Sequence, residues 1–560
     1  MRARGSREGR GSYPLPLEDG VRGKEAAKTF FHTSWRRSRE REARSMSKRK
    51  RFFVGVSVSL GLFFATWVGW SWAQIKNLTI GIGIDADTLN PQEQTTTLIQ
   101  NICDLIFDNL FFATPEGKLE PRLATEYKTS PDGLTWTIKL RPGVKFSDGA
   151  PLDAKAMKLT FDRALDPKLK VPLRFAITMV KECVVVDDHT IELKLHYPFA
   201  PLAQTLAMTL VSPISPKALE KYGEEVRQNP VGAGPYMLKE WVKGDRIVLV
   251  RNENYWGPKP TVEQLTFKVV PEVATREAML RSGQIDICYK PSPANVAALK
   301  ADPNLKVEMP LSTRTIFMAL RCDRPLMKNK LARQAFNYAV DKKAIVKKIL
   351  FDTAEVMDGT VSPILFGYAK MEPQYDYNPK KAQELLKKAG WDFNQVVKMG
   401  SPQGRYLFDT QVAEAIQAQL QAIGVKTELR VMDWPTYMST VYKPLEQSEF
   451  DMVLLGWGPL IMDADMALYG QFTSAVYPPK GLGSAFYSNP EYDAIMEKSR
   501  LEQDPARRKE LLVQASKIIW DDCPWLWLHV EKFVIAYKKK IEGMIVTPTE
   551  KFYPQYVTMK

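Results

Sequence analysis

The chain has 560 residues, 45% hydrophobic, 25% charged and 11% aromatic, which is ordinary globular composition. It excludes a fully disordered chain and a polytopic membrane protein, and the length calls for two to four domains. The net charge of +14 suggests a nucleic-acid partner only until it is located: residues 1–73 hold 16 Lys and Arg against 6 Asp and Glu, leaving residues 74–560 with 62 against 58. A nearly neutral body gives no electrostatic footprint for nucleic acid.

The elements in chain order begin with a leader. Residues 1–45 are rich in Arg, Gly and Ser without apolar periodicity, and are expected to be a mis-assigned, disordered extension upstream of a true start at Met46. Ser47-Lys48-Arg49-Lys50-Arg51 then precedes an uncharged run from Phe52 to Ile75. A basic segment, an apolar core and small residues at Ser71 and Ala73 form a signal peptide over 46–73, with cleavage expected after Ala73. The alternative is an uncleaved membrane anchor, since the run is long enough to span a bilayer. No Cys near its end offers a lipid attachment site.

In the body, Leu134, Trp136, Ile138 and Leu140 alternate with polar residues between two turn-forming Pro/Gly segments, the period-2 pattern of a half-buried strand. Cys183–Val186 and Thr190–Leu195 read as a hairpin, and strands are expected at Arg246–Val250 and Leu265–Val270. The second half changes character. Asn378 and Pro379 open a helix that carries Ala382, Leu385, Leu386 and Ala389 on one face and stops at Gly390. Val396-Val397, a helix with Val412, Ala415, Ile416 and Leu420, and an alternating strand from Val425 to Val431 form a βαβ unit, hence an α/β domain. A helix near Pro505–Trp520 precedes a buried strand at Trp525–Val530. No repeat or low-complexity linker interrupts the body, so domain boundaries fall in short turns.

Five Cys without a Cys-x-x-Cys pair, and four His without metal-ligand spacing, predict no metal site and no cofactor. One or two disulfides are open to an exported chain, and spacing does not choose between pairings.

From Leu123-Ala124-Thr125-Glu126-Tyr127 through Leu140-Arg141-Pro142-Gly143 to Asp148-Gly149-Ala150-Pro151-Leu152 the sequence resembles the signature of family 5 solute-binding proteins, the peptide receptors of ABC importers. Further landmarks follow in order: Leu89-Asn90-Pro91, Val231-Gly232-Ala233-Gly234-Pro235-Tyr236, Arg251-Asn252-Glu253-Asn254-Tyr255-Trp256, Gly283-Gln284-Ile285-Asp286, Arg333-Gln334-Ala335-Phe336 and Gly456-Trp457. The resemblance implies an α/β, two-lobed periplasmic-binding-protein type II-like fold with an extra β-rich subdomain and a cleft that closes by hinge motion. Lobe I would comprise 74–115, 212–308 and 523–560, the subdomain 116–211, and lobe II 309–522. It implies a monomeric periplasmic receptor that delivers peptides or peptide-like solutes to membrane permease subunits.

Three stretches are the candidate binding residues. Thr95, Thr96 and Thr97 would supply hydroxyls from lobe I. Arg405 and Tyr406 open the helix of the βαβ unit, where an Arg can grip a carboxylate bidentately or stand as a solvated loop cation. Trp434 and Trp457 are cleft platforms or core; Gly456, a further candidate, and Gly458 are expected to leave the surroundings of Trp457 open. In dipeptide-type members an Asp three residues after this Trp meets the ligand ammonium; here that position is Leu460. The following Asp463-Ala464-Asp465 is similar to glutathione-type members, so Asp463 or Asp465 would take the ammonium, with helix N-capping as the alternative. Trp525 and Trp527 read as core.

A receptor needs no nucleophile, and no Gly-x-Ser-x-Gly, His-Glu-x-x-His or phosphate loop occurs. A carboxylate-dependent hydrolase would have to use Asp463 and Asp465, whose i, i+2 spacing suits neither one strand face nor one helix face. Within the same fold, an oligosaccharide, opine or nickel chelate stays open as ligand, because fold does not fix function.

Overall fold

A computed structural model describes residues 77–478 and 481–559. The extension, the signal peptide, its cleavage after Ala73 and the alternative anchor lie outside the described residues. Those described belong to one unit, Trp72–Lys560, and among them no helix is long and apolar enough to cross a membrane.

Three sheets organise the unit. A seven-stranded mixed sheet has the order Leu305–Glu308, Ile535–Lys538, Ile287–Tyr289, Asn77–Ile82, Gln264–Val269, Arg246–Arg251, Tyr236–Val242. Its central strand Asn77–Ile82 runs parallel to both neighbours and carries Leu78, Ile80 and Ile82 into the core. A four-stranded antiparallel sheet is formed by Ala124–Thr129, Thr135–Leu140, Thr190–Leu195 and Val180–Asp187. The period-2 pattern of the sequence appears in it directly: Trp136, Ile138 and Leu140 are buried, as are Ile191, Leu193 and Leu195. The helix Ala154–Leu165, capped by the Asp153 side chain accepting from the Ala156 N–H at 2.9 Å, belongs to the same core.

The six-stranded sheet positions the site. Its order is Ala354–Val356, Trp525–Lys532, Leu311–Leu320, Met452–Trp457, Val396–Pro402, Lys426–Met432. Asn378 caps the helix Pro379–Lys388 with Pro379 in its first turn, and Gly390 turns the chain at φ 69°. Strand Val396–Pro402, helix Asp409–Ala422 and strand Lys426–Met432 form the expected βαβ unit, with the two strands parallel from Val396↔Lys426 to Pro402↔Met432. Met452–Trp457 is parallel to Val396–Pro402 as well. Three parallel strands therefore end on one edge of the sheet, at Pro402, Met432 and Trp457. Leu311–Leu320 runs antiparallel with Thr315 opposite Trp457, so Arg314 starts at that same edge.

One expected boundary is corrected. Trp525–Lys532, placed in lobe I by the sequence reading, is a strand of the six-stranded sheet, and only Ile535–Lys538 joins the seven-stranded one. The cause is aromatic packing: Trp525 stacks on Phe317 with ring centroids 3.3 Å apart, and Trp527 stacks on Trp520 at 5.4 Å. Both Trp525 and Trp527 are core, as read from the sequence. The five cysteines are free, four of them buried.

Candidate ligand-binding cleft

In open sheets with parallel strands, ligands bind beyond the carboxyl ends of those strands. Here each of the three parallel strands delivers side chains to one cleft. Arg405 and Tyr406 follow Pro402, Trp434 follows Met432, and Gly456 and Trp457 end the third strand. Thr95, Thr96 and Thr97 close the cleft from the start of the helix Thr97–Phe107. The cavity measures about 80 Å³.

Arg405 is presented by a strained but well-tied loop. Gly404 has φ 75° and Phe408 φ 50°, and the buried Asp409 carboxylate accepts from the backbone N–H groups of Gly404, Arg405 and Tyr406 at 3.0, 2.8 and 3.0 Å. It also accepts from the Thr410 N–H at 2.9 Å. Burial pushes the Asp409 carboxyl up, against the pull of these four bonds. The Arg405 guanidinium lies 5.0 Å from the Trp434 ring and 5.1 Å from the Tyr406 ring. Among the described residues no carboxylate forms an ion pair with it, and none accepts from its buried Nε. A cation beside two rings, with no carboxylate bonded to it and its charge felt at the more distant Glu550, keeps donors free for an incoming anion.

Tyr406 donates its hydroxyl to the Gly456 carbonyl at 3.3 Å, and burial raises its phenol above the ordinary range. Gly456 and Gly458 do not leave Trp457 open, contrary to expectation. A Cβ at Gly456 would stand 2.5 Å from Ile316 Cδ1 and 2.7 Å from Tyr406 Cε1, and one at Gly458 would stand 3.0 Å from Arg314 Nη2. The glycines are needed because neighbouring side chains fill their space. Trp457 still lines the cleft, half-buried, with its Nε1 donating to the Met466 carbonyl at 3.3 Å.

Asp463 and Asp465 are corrected: neither lines the cleft. Arg508 donates to both oxygens of Asp463 at 2.6 and 2.8 Å, and Arg500 donates to both oxygens of Asp465 at 3.0 and 3.1 Å. All four side chains are buried. Their carboxylates are spent on guanidinium groups 45 and 35 residues downstream, so they are open neither to a ligand ammonium nor to joint acid/base work. Leu460, where dipeptide-type members carry an Asp, does line the cleft.

The sequence reading missed Arg314 and Gln471, both in the cleft wall. Arg314 donates Nε and Nη2 to the two oxygens of Glu550 at 2.9 Å each, and Nη2 to the Thr97 hydroxyl at 2.9 Å. Lys290 lies 3.3 Å from Glu550 and 3.2 Å from Glu531. Burial alone would raise the Glu550 carboxyl, yet Arg314 and Lys290 hold it at about 2. This buried network joins the two large sheets: Arg314 and Glu531 lie on strands of the six-stranded sheet, while Lys290 follows a strand of the seven-stranded one. The available signal was an Arg two residues before the apolar run Ile316–Leu320 of a strand. Among the described residues no Asp or Glu lines the cleft, and its charged side chains are Arg314 and Arg405.

Two large sheets meeting at a cation-lined cleft, with a separate antiparallel sheet beside them, define a two-lobed solute-binding protein. Residues 118–479 match the sequence profile described as "Bacterial extracellular solute-binding proteins, family 5 Middle", and the chain belongs to that family. It is 33% identical over 479 residues to the glutathione-binding protein GsiB of Escherichia coli O6:K15:H31 (strain 536 / UPEC), covering 85% of this chain and 93% of the relative. Among solved structures it resembles the periplasmic binding protein DppA from Helicobacter pylori in complex with peptide STSA, with 26% identity, TM-score 0.78 and coverage of 86% and 98%. It also resembles the oligopeptide-binding protein AppA from Bacillus subtilis in complex with a nonapeptide, with 25% identity, TM-score 0.79 and coverage of 86% and 99%.

Proposed function

We propose that this protein is an extracytoplasmic receptor that captures a small peptide or peptide-like solute and hands it to the permease of an ABC importer, acting as a monomer without cofactor. The Arg405 guanidinium carries the reading: it can offer two parallel donors to a ligand carboxylate, with the Trp434 and Tyr406 rings packed beside it. The helix start at Thr97, which has no side-chain cap and no acidic residue in its first turn, adds a positive dipole end on the same cleft. A receptor for peptides agrees with what the relatives' names say those proteins bind.

Among the described residues we assign lobe I to 77–115, 212–308 and 533–559, the subdomain to 116–211, and lobe II to 309–478 and 481–532. Closure would bring Thr95–Thr97 onto a ligand seated against Arg405.

The test is calorimetric titration of the full chain with glutathione, Ala-Ala, the nonapeptide bradykinin and maltotriose. The reading predicts that a di- or tripeptide binds, and that Arg405→Ala weakens it by about tenfold or more, while the lost contacts with the Trp434 and Tyr406 rings cost only about 1 kcal/mol of stability. Binding of the sugar with no peptide bound would overturn it.

A further inference from the structure

Arg405 accounts for one end of a ligand. Gln471 is the cleft-lining group that the protein leaves unused. It sits near the end of the helix Asp465–Phe472, is 2% exposed, and lines the cleft. Among the described residues no group accepts from its Nε2. A buried amide donor without an acceptor is costly and calls for a reason. The helix that carries it is also held firmly. Its first residue is fixed by the paired Asp465–Arg500 contact, the preceding turn by Asp463–Arg508, and its last residue Phe472 packs 4.4 Å from the Trp525 ring. The helix that presents Gln471 to the cleft is thus fixed at both ends.

We infer that Gln471 is the second ligand-reading group of this cleft, its Nε2 donating to a carbonyl or carboxylate oxygen of the solute distinct from the carboxylate on Arg405, so that the cleft selects solutes without an uncompensated α-ammonium. The inference rests on the peptide-receptor reading above and narrows it. The second half follows from charge. Leu460 lines the cleft where an acid would stand, Asp463 and Asp465 are paired inside the protein, and Glu550 is saturated by Arg314 and Lys290. A free α-ammonium brought in beside Arg405 would be desolvated near a like charge, with Glu550 already bonded to Arg314 and no other acid lining the cleft among the described residues to meet it. An N-acylated peptide has no such group. A γ-linked peptide carries its ammonium and a carboxylate on the same carbon, and so brings its own counter-charge.

The experiment titrates the full chain and two variants with N-acetyl-Ala-Ala, glutathione and Ala-Ala by calorimetry, with ligand-free melting curves alongside. In the wild type, N-acetyl-Ala-Ala and glutathione are expected to bind about tenfold or more tighter than Ala-Ala. Gln471→Met removes the donor at similar size. It is expected to weaken the two favoured ligands by about tenfold and to raise the ligand-free melting temperature, because an unpaired buried donor has gone; a merely structural residue would lower it. Gln471→Glu places an acceptor there and is expected to shift preference toward Ala-Ala. Equal or tighter wild-type binding of Ala-Ala, or unchanged affinities in Gln471→Met, would overturn the inference while leaving the receptor reading in place. If none of the three binds the wild type, the receptor reading fails and this inference with it.

Discussion

Replacing Asp465 by Asn separates a structural carboxylate from a ligand-binding one. Arg500 is 1% exposed, donates twice to Asp465 at 3.0 and 3.1 Å, and lies with its guanidinium carbon 3.4 Å from the Tyr469 ring centroid. With Asp465 neutral, the cluster that now holds Arg500, Arg508, Asp463 and Asp465 keeps two cations and one anion. Removing one partner of a buried pair costs about 3–5 kcal/mol, and the retained amide oxygen, which still accepts one bond, places Asp465→Asn near the low end. The assay is urea unfolding followed by tryptophan emission, together with calorimetric titration of glutathione under conditions where the variant is folded. A loss of about 3 kcal/mol with affinity changed less than about threefold is expected. The double replacement Asp465→Leu with Arg500→Met should recover much of the loss, since apolar residues of similar size fill such sites as well as an ion pair does. Unchanged stability with a tenfold loss of affinity would refute the reasoning and return Asp465 to the ligand.

Two further predictions concern acid. Glu550 is held at about 2 in the folded chain against about 4.3 unfolded, so its contribution to stability is complete above the unfolded value and is lost as pH falls toward 2. Glu550→Gln, which leaves Arg314 and Lys290 sharing Glu531, should destabilise by about 3–5 kcal/mol at neutral pH and flatten that limb of a stability-versus-pH curve. His529, 1% exposed in the six-stranded sheet with no partner for Nδ1, is pushed down to about 4 by burial. The unfolded chain takes up this proton near pH 6.5 and the folded one only near 4, so stability falls between those values as the medium is acidified. His529→Leu should remove that slope in urea melts at pH 7, 6 and 5; an unaltered slope would assign it to other groups.

The sequence made legible what local chemistry dictates. Asn378 with Pro379, Gly390 and Gly424 punctuate the helices, alternation marks the strands, and the βαβ unit that results places Arg405 at a strand's carboxyl end. That is why the cleft's best anchor was readable from a loop. What depends on distant partners was not. Asp463 and Asp465 look like free acids until Arg500 and Arg508 fold back onto them. Arg314 sits within a β-strand and joins the site only through register with Trp457. Gln471 is one polar residue in a short helix, and nothing in its neighbourhood marks its amide as unpaired. Trp457 was placed in the cleft for a reason the structure reverses, since its flanking glycines make room for Tyr406, Ile316 and Arg314. Trp525–Lys532 joined the six-stranded sheet, with a stack on Phe317 that no local pattern announces.

The most direct test of the central claim is a crystal structure of the full chain with a bound di- or tripeptide such as glutathione. The account predicts a ligand carboxylate within hydrogen-bond distance of the Arg405 guanidinium, between the rings of Trp434 and Tyr406, with Asp463 and Asp465 still paired to Arg508 and Arg500. A ligand seated away from Arg405, or one whose ammonium has drawn Asp465 off Arg500, would contradict it.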